Sequence, residues 1–63
     1  MHMRQTLREA RRMRGWTQKQ AARQVGVSRR TWEAWEYGVR TPSLRHARRV
    51  AEVLGLPIEK LFN

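Results

Sequence analysis

The chain has 63 residues and no cysteine, so disulfide bonds cannot stabilise it, and a domain of this size must rely on helix packing or association. Fourteen Lys and Arg residues against five Asp and Glu give a net charge of +9, which favours nucleic acid as partner, although a GC-rich genome would also enrich arginine. The apolar runs are too short to span a membrane and no secretory signal is visible, so we expect a cytoplasmic protein.

Glycine and proline divide the chain into five segments of helical length, and no alternating pattern indicates a strand. The first helix is predicted from about Met3 to Arg14. The second is predicted from about Gln18 to Val25, with Thr17 as its N-cap. The third begins at the N-cap candidate Ser28 and ends before Gly38.

The fourth helix follows its N-cap candidate Ser43, and the last is one or two turns from Pro57 to Phe62. The fourth helix has a predicted buried stripe of Leu44, Ala47, Ala51 and Leu54, supported by Val50. We expect one all-α domain over residues 1–63, a compact five-helix bundle. Its expected core comprises Leu7, Trp16, Val25, Val27, Trp32, Trp35, Leu44, Leu54 and Leu61.

The segment from about 17 to 37 has the pattern of two helices joined by a tight turn, in which Gly26 can adopt a positive φ. Trp32 and Trp35 lie on one face of the third helix and are assigned to the core. The opposite face carries Arg29, Arg30, Glu33 and Ala34. A helix with an apolar back and two arginines near its N-terminus fits the major groove of DNA.

Short motifs run from Leu7 to Phe62: Leu7-Arg8-Glu9-Ala10-Arg11, Gly15-Trp16-Thr17-Gln18, Ala22, Val25-Gly26-Val27-Ser28, Trp35-Glu36-Tyr37-Gly38, Pro42-Ser43 and Leu54-Gly55-Leu56. Together they resemble the lambda repressor/Cro-like, or Xre-type, helix-turn-helix domains. That family is a five-helix bundle that usually binds a two-fold symmetric operator as a dimer. The resemblance implies sequence-specific binding of double-stranded DNA by a transcriptional regulator: a phage-type repressor, a restriction controller or an antitoxin-like autoregulator.

The resemblance assigns base contacts to Arg29, Arg30 and Ala34 in the recognition helix. Glu33 lies beside them and either accepts a hydrogen bond from a cytosine amino group or pairs, solvated, with one of the arginines. Two features depart from the family: adjacent arginines replace the frequent glutamine, serine or threonine, and Trp32 is bulkier than the usual isoleucine.

Contacts to the DNA backbone are expected from Thr17, Gln18, Ser28, Tyr37, Arg40 and Thr41. Of these, the last three match the family's loop after the recognition helix, which runs along a phosphate strand. The resemblance also implies a structural salt bridge between Arg11 and Glu36, tying the first helix to the end of the third.

Four apolar residues crowd the end of the chain, and a short helix cannot turn all of them inward: Leu56, Ile58, Leu61 and Phe62. We expect a homodimer, at least on DNA, with an interface of Leu56, Ile58 and Phe62. Alternatively, Leu56 and Leu61 complete the core while the other two stay singly exposed.

Other functions have weaker support in the sequence. No catalytic motif appears, and His2 and His46 lie far apart without a Cys or Asp nearby, so we expect no enzyme, cofactor, metal site or small-molecule substrate. An antitoxin-like protein-interaction module could use the same fold, and sequence-independent binding of nucleic acid, including RNA, is a further alternative. The arginine front of the third helix favours DNA.

Overall fold

The computed structural model describes residues 3–62 and contains five α-helices and no strand within that range. The helices are α1 (Gln5–Met13), α2 (Gln18–Val25), α3 (Arg29–Glu36), α4 (Leu44–Leu54) and α5 (Ile58–Leu61). This order confirms the predicted all-α fold, with helix ends shifted by a residue or two. Among the described residues, no helix has the length and apolar character that a membrane crossing needs.

Local side-chain hydrogen bonds fix where α2 and α3 begin. The hydroxyl of Thr17 accepts from the backbone N–H of Gln20, whose side chain in turn accepts from the N–H of Thr17, so both partners of a capping box are present. Ser28 accepts from the N–H of Thr31 at 3.1 Å. Between the helices, Gly26 adopts φ +77°, a left-handed conformation that only glycine takes at little cost. The local sequence therefore dictates the helix-turn-helix geometry.

The hydrophobic core lies where the helices meet, since α2 packs on α3 and α4, and α1 packs on α3 and α5. Trp32 and Trp35 are both buried, with ring centroids 5.9 Å apart, so their predicted place in the core is confirmed. Trp35 also meets the ring of Phe62 edge-on at 6.3 Å. The other buried apolar residues are Leu7, Ala10, Ala21, Ala22, Val25, Ala47, Val50, Leu54 and Leu61.

The prediction that Leu44 belongs to the core is wrong, because its side chain is 61% exposed. The buried face of α4 consists of Ala47, Val50 and Leu54. Leu44 has the right helical spacing for that stripe, but it is the first residue of α4 and follows the loop directly. Ala51 of the predicted stripe is only partly buried against the core.

We predict that Trp35→Ala lowers the free energy of unfolding by about 3–5 kcal/mol, because the cavity left by the indole cannot be refilled in so small a core. Leu44→Ala is the matched control and should change stability by no more than about 0.5 kcal/mol, since it removes an exposed side chain. Urea unfolding followed by far-ultraviolet circular dichroism measures both. Equal stability of the two variants would contradict this packing.

Candidate nucleic-acid interface

The exposed side of α3 carries the arginines that the sequence predicts as base contacts. Arg29 and Arg30 are the first two residues of the helix and both are exposed, while Ala34 lies half-buried one turn further along. Trp32 and Trp35 on the opposite side are 1% and 3% exposed. Because the indoles anchor the back of the helix, the two guanidinium groups extend into solvent.

The charge at the start of α3 opposes ordinary helix electrostatics. A helix N-terminus carries a partial positive charge, so cations there are unfavourable by about 0.3–1 kcal/mol each. Arg29 and Arg30 nevertheless occupy this end, and the first turn contains no acidic residue. The helix dipole and the arginines therefore add to one positive potential, which suits an anionic ligand.

Glu33 is the one acidic side chain on this front of α3, and it pairs with Arg29. The Arg29 Nε to Glu33 Oε2 distance is 3.9 Å, and the Arg29 side chain is 65% exposed. An exposed pair of this kind contributes no more than about 1 kcal/mol. In the free protein Glu33 thus adopts the ion-paired arrangement, and its contact with a base stays a prediction.

Two shallow grooves flank the exposed side of α3. The first lies on the side of α2 and is lined by Lys19, Ala22, Arg23, Val27 and Arg29. The second lies on the side of the α3–α4 loop and is lined by Arg30, Thr31, Ala34, Trp35, Arg40, Thr41, Pro42, Ser43 and His46. Both grooves carry cationic side chains, so positive charge borders α3 on both sides.

Sequence reasoning did not assign Lys19, Arg23, Ser43 or His46 to the interface, although all four line these grooves. Lys19 and Arg23 stand one turn apart on α2, and this i, i+4 spacing could have indicated a basic stripe beside α3. Ser43 was identified only as an N-cap, yet it lines the second groove together with His46. The His46 ring is held there by Trp35, with centroids 5.8 Å apart.

The residues predicted to contact the DNA backbone form two groups. Tyr37, Arg40 and Thr41 are exposed on the loop after α3. Thr17 and Ser28 are the N-caps of α2 and α3, where their hydroxyls accept from backbone N–H groups, and Gln18 is the first residue of α2. Their roles toward DNA stay predictions.

Glu36 lies at the junction of the first three helices and is 1% exposed. Its Oε2 accepts from Arg11 Nε at 2.5 Å, and its Oε1 accepts from Arg11 Nη2 at 3.2 Å. The remaining donors are the side chain of Gln18, 3.3 Å from Oε1, and the indole N–H of Trp32. Arg11 and Glu36 thus form the ion pair that the resemblance implies, and both carboxylate oxygens are fully satisfied.

The indole N–H of Trp32 is a polar group that isoleucine lacks, and it is hydrogen-bonded inside the protein. Trp32 lies one helical turn before Glu36 and donates to its carboxylate, so the added polar atom has a buried partner. No buried side-chain nitrogen or oxygen within residues 3–62 lacks a hydrogen bond. The i, i+4 spacing of the two residues is the sequence signal for this contact.

The three residues predicted for a dimer interface differ in their packing. Leu56 and Phe62 are partly buried against the core of their own chain. Ile58, at the start of α5, is half-buried but is not part of that packing. Ile58 is therefore the member of the set that does not pack against the core of its own chain.

Metal-binding groups are absent from the described part of the chain, since no three His, Asp or Glu residues in it converge on one point. His2 lies outside the described residues.

Comparisons with known proteins agree with this geometry. The helix-turn-helix family profile matches residues 7–61. A protein of Archaeoglobus fulgidus described as an HTH-type transcriptional regulator is 45% identical over 60 residues, covering 95% of this chain and 86% of that protein. A regulator of the same description from Methanothermobacter thermautotrophicus is 46% identical over 61 residues, covering 95% and 88%.

A solved structure is also similar. The restriction-modification controller protein C.AhdI from Aeromonas hydrophila superimposes with a TM-score of 0.80 at 32% identity. The match covers 94% of this chain and 86% of that one.

We predict that Glu36→Gln destabilises the fold by about 3–5 kcal/mol, because it leaves the buried guanidinium of Arg11 without a counter-charge. Glu33→Gln makes the same chemical change on the exposed face of α3 and should cost no more than about 1 kcal/mol. Urea unfolding midpoints of the two variants give the comparison. A Glu36→Gln protein as stable as the Glu33→Gln protein would show that the buried charge pair is dispensable.

Proposed function

This chain belongs to the helix-turn-helix family and is a DNA-binding transcriptional regulator, and from that membership we propose that it reads a specific, two-fold symmetric operator with α3 in the major groove. The observation that carries the proposal is the exposed Arg29-Arg30 pair at the start of α3, bordered on both sides by basic grooves. In this proposal the protein is cytoplasmic, and it acts by binding DNA and not by catalysing a reaction.

The distribution of charge around α3 supports this orientation. A helix lying in the major groove has a phosphate strand on each side of it. Lys19 and Arg23 border α3 on one side, while Arg40 borders it on the other. Each strand would meet cationic side chains, which contribute affinity without reading sequence. Specificity then falls to the residues on the front of α3 itself.

Arg29 and Arg30 have the chemistry for that task, since a guanidinium can donate two hydrogen bonds to the O6 and N7 atoms of guanine. Ala34, one turn further, can contact a thymine methyl group or simply allow close approach. Glu33 restricts the Arg29 side chain through a weak ion pair, which DNA can displace. Backbone contacts from Thr17, Gln18, Ser28, Tyr37, Arg40 and Thr41 fix the register on the duplex.

A second copy of the chain is needed to read a symmetric operator. The longest dimension of the fold is 23 Å, whereas half-sites on one face of DNA are separated by roughly 34–36 Å. One copy therefore covers one half-site. A homodimer formed through Ile58, with Leu56 and Phe62 beside it, would position two copies of α3 and bury apolar surface on both.

The similarity to a restriction-modification controller favours a controller-type regulator for this chain. An antitoxin-like interaction module would present an apolar front for a partner protein. Arg29 and Arg30 occupy that position instead, which favours DNA as the partner of α3.

We predict that Arg29→Ala or Arg30→Ala weakens binding to the preferred duplex by about 1–3 kcal/mol and relaxes the preference at one base position. Arg48→Ala is the control, because it removes one exposed positive charge from α4 and leaves the front of α3 intact. Titration of each variant on the preferred and on an unrelated duplex gives the result. If an α3 variant weakens binding to both duplexes equally, that arginine contacts phosphate rather than bases.

The dimer is tested at Ile58. Ile58→Glu should leave the fold intact and abolish cooperative binding to a duplex with two half-sites, while binding to a single half-site changes little, because a charge cannot be buried in an apolar interface. Met13→Glu introduces the same acidic side chain at an apolar position of α1 that is 87% exposed. If the Ile58→Glu and Met13→Glu proteins bind with equal cooperativity, the dimer interface does not include Ile58.

A further inference from the structure

Arg4 precedes α1 and contacts three segments that lie more than thirty residues away from it in the sequence. Its Nη1 donates to the backbone carbonyls of Trp35 and Arg40 at 2.6 and 2.8 Å, and its Nη2 donates to Thr41 Oγ1 at 2.8 Å. Its guanidinium carbon lies 5.5 Å from the centre of the Phe62 ring. The side chain of Arg4 therefore holds the end of α3, the following loop and the end of the described chain together.

Arg4 also completes the hydrogen bonding at the C-terminus of α3. The last carbonyls of a helix have no partner within it. The carbonyl of Glu36 accepts from the backbone N–H of Arg4 at 2.7 Å, and the carbonyl of Trp35 accepts from its guanidinium. A positive charge is favourable at this end of the helix dipole. Arg4 thus acts as a cap for α3 supplied from the other end of the chain.

The same contacts restrain the loop 37–43, which belongs to no helix. Arg4 holds the backbone of Arg40 by its carbonyl, so the direction in which the Arg40 side chain leaves the loop is restricted. The Thr41 oxygen accepts from Arg4, and its hydroxyl hydrogen can then donate to a phosphate oxygen. A hydroxyl that accepts from a cation is polarised and becomes a stronger donor, which suits a phosphate oxygen.

We propose that Arg4 is a positioning residue for DNA binding: it caps the recognition helix and holds the loop 37–43 in the shape that presents Arg40 and Thr41 to a phosphate strand. The proposal rests on the DNA-binding function given above. Arg4 acts through the geometry of its guanidinium, which reaches two carbonyls and a hydroxyl at once. A lysine has the same charge but lacks this planar fork.

The test compares Arg4→Lys, Arg4→Ala, Thr41→Val and the double variant Arg4→Ala/Thr41→Val, with Arg48→Ala as the control for lost charge. Binding to the preferred duplex should weaken about tenfold in Arg4→Lys, although net charge is unchanged, because hydrogen bonds to the guanidinium are lost. Thr41→Val should weaken binding less. The double variant should bind about as well as Arg4→Ala, because the Thr41 contact depends on Arg4.

A second measurement needs no DNA. The backbone N–H groups of Val39 and Arg40 both donate to the Ala34 carbonyl, at 2.9 and 3.2 Å. Without Arg4 to hold the loop, their hydrogen exchange should become about tenfold faster in Arg4→Lys, while exchange in the middle of α4 stays unchanged. Arg48→Ala should leave hydrogen exchange unchanged both in the loop and in the middle of α4.

Wild-type affinity and unchanged exchange in Arg4→Lys would overturn the proposal and leave Arg4 as a source of charge only. If the losses of binding free energy in Arg4→Ala and Thr41→Val add up in the double variant, Arg4 does not act through Thr41. If Arg4→Ala does not fold, Arg4→Lys and Thr41→Val still decide the matter. If the wild type binds no duplex, the proposed function fails instead, and the exchange experiment still tests whether Arg4 holds the loop.

Discussion

The buried carboxylate of Glu36 is the interaction on which the geometry of this protein depends. A carboxylate taken out of water is costly unless donors surround it. Here the donors come from three helices: Arg11 on α1, Gln18 at the start of α2 and Trp32 on α3. Because all three must converge on one group, the carboxylate sets how the helices meet. The backbone carbonyl of Glu36 is held as well, by the N–H of Arg4.

This rigid junction supports a surface that is poorly suited to stability. The N-terminus of α3 carries Arg29 and Arg30 where the helix dipole disfavours cations, and a single weak pair with Glu33 offsets them. The chain as a whole has a net charge of +9, which opposes a compact state. In the proposed complex, the negative charge of DNA offsets both effects.

Sequence reasoning recovered the features that depend on near neighbours. Thr17, Ser28 and Gly26 were identified because caps and turns are decided by residues a few positions apart. Leu44 was misjudged because periodicity marks a helical stripe but does not show where the covering helices end. The contacts of Arg4 span more than thirty residues with no periodic signal, so nothing in the sequence pattern indicated them. The indole of Trp32 was read as bulk alone, although its N–H completes the Glu36 site.

Selection of bound duplexes from a random-sequence pool tests the central claim, that α3 reads a symmetric operator, most directly. We expect the bound fraction to converge on a motif that occurs twice in inverted orientation, with half-site centres roughly 10–10.5 base pairs apart. We also expect guanines within each half-site, opposite Arg29 or Arg30. A bound fraction as diverse as the starting pool would contradict the account and leave only charge-driven binding to DNA.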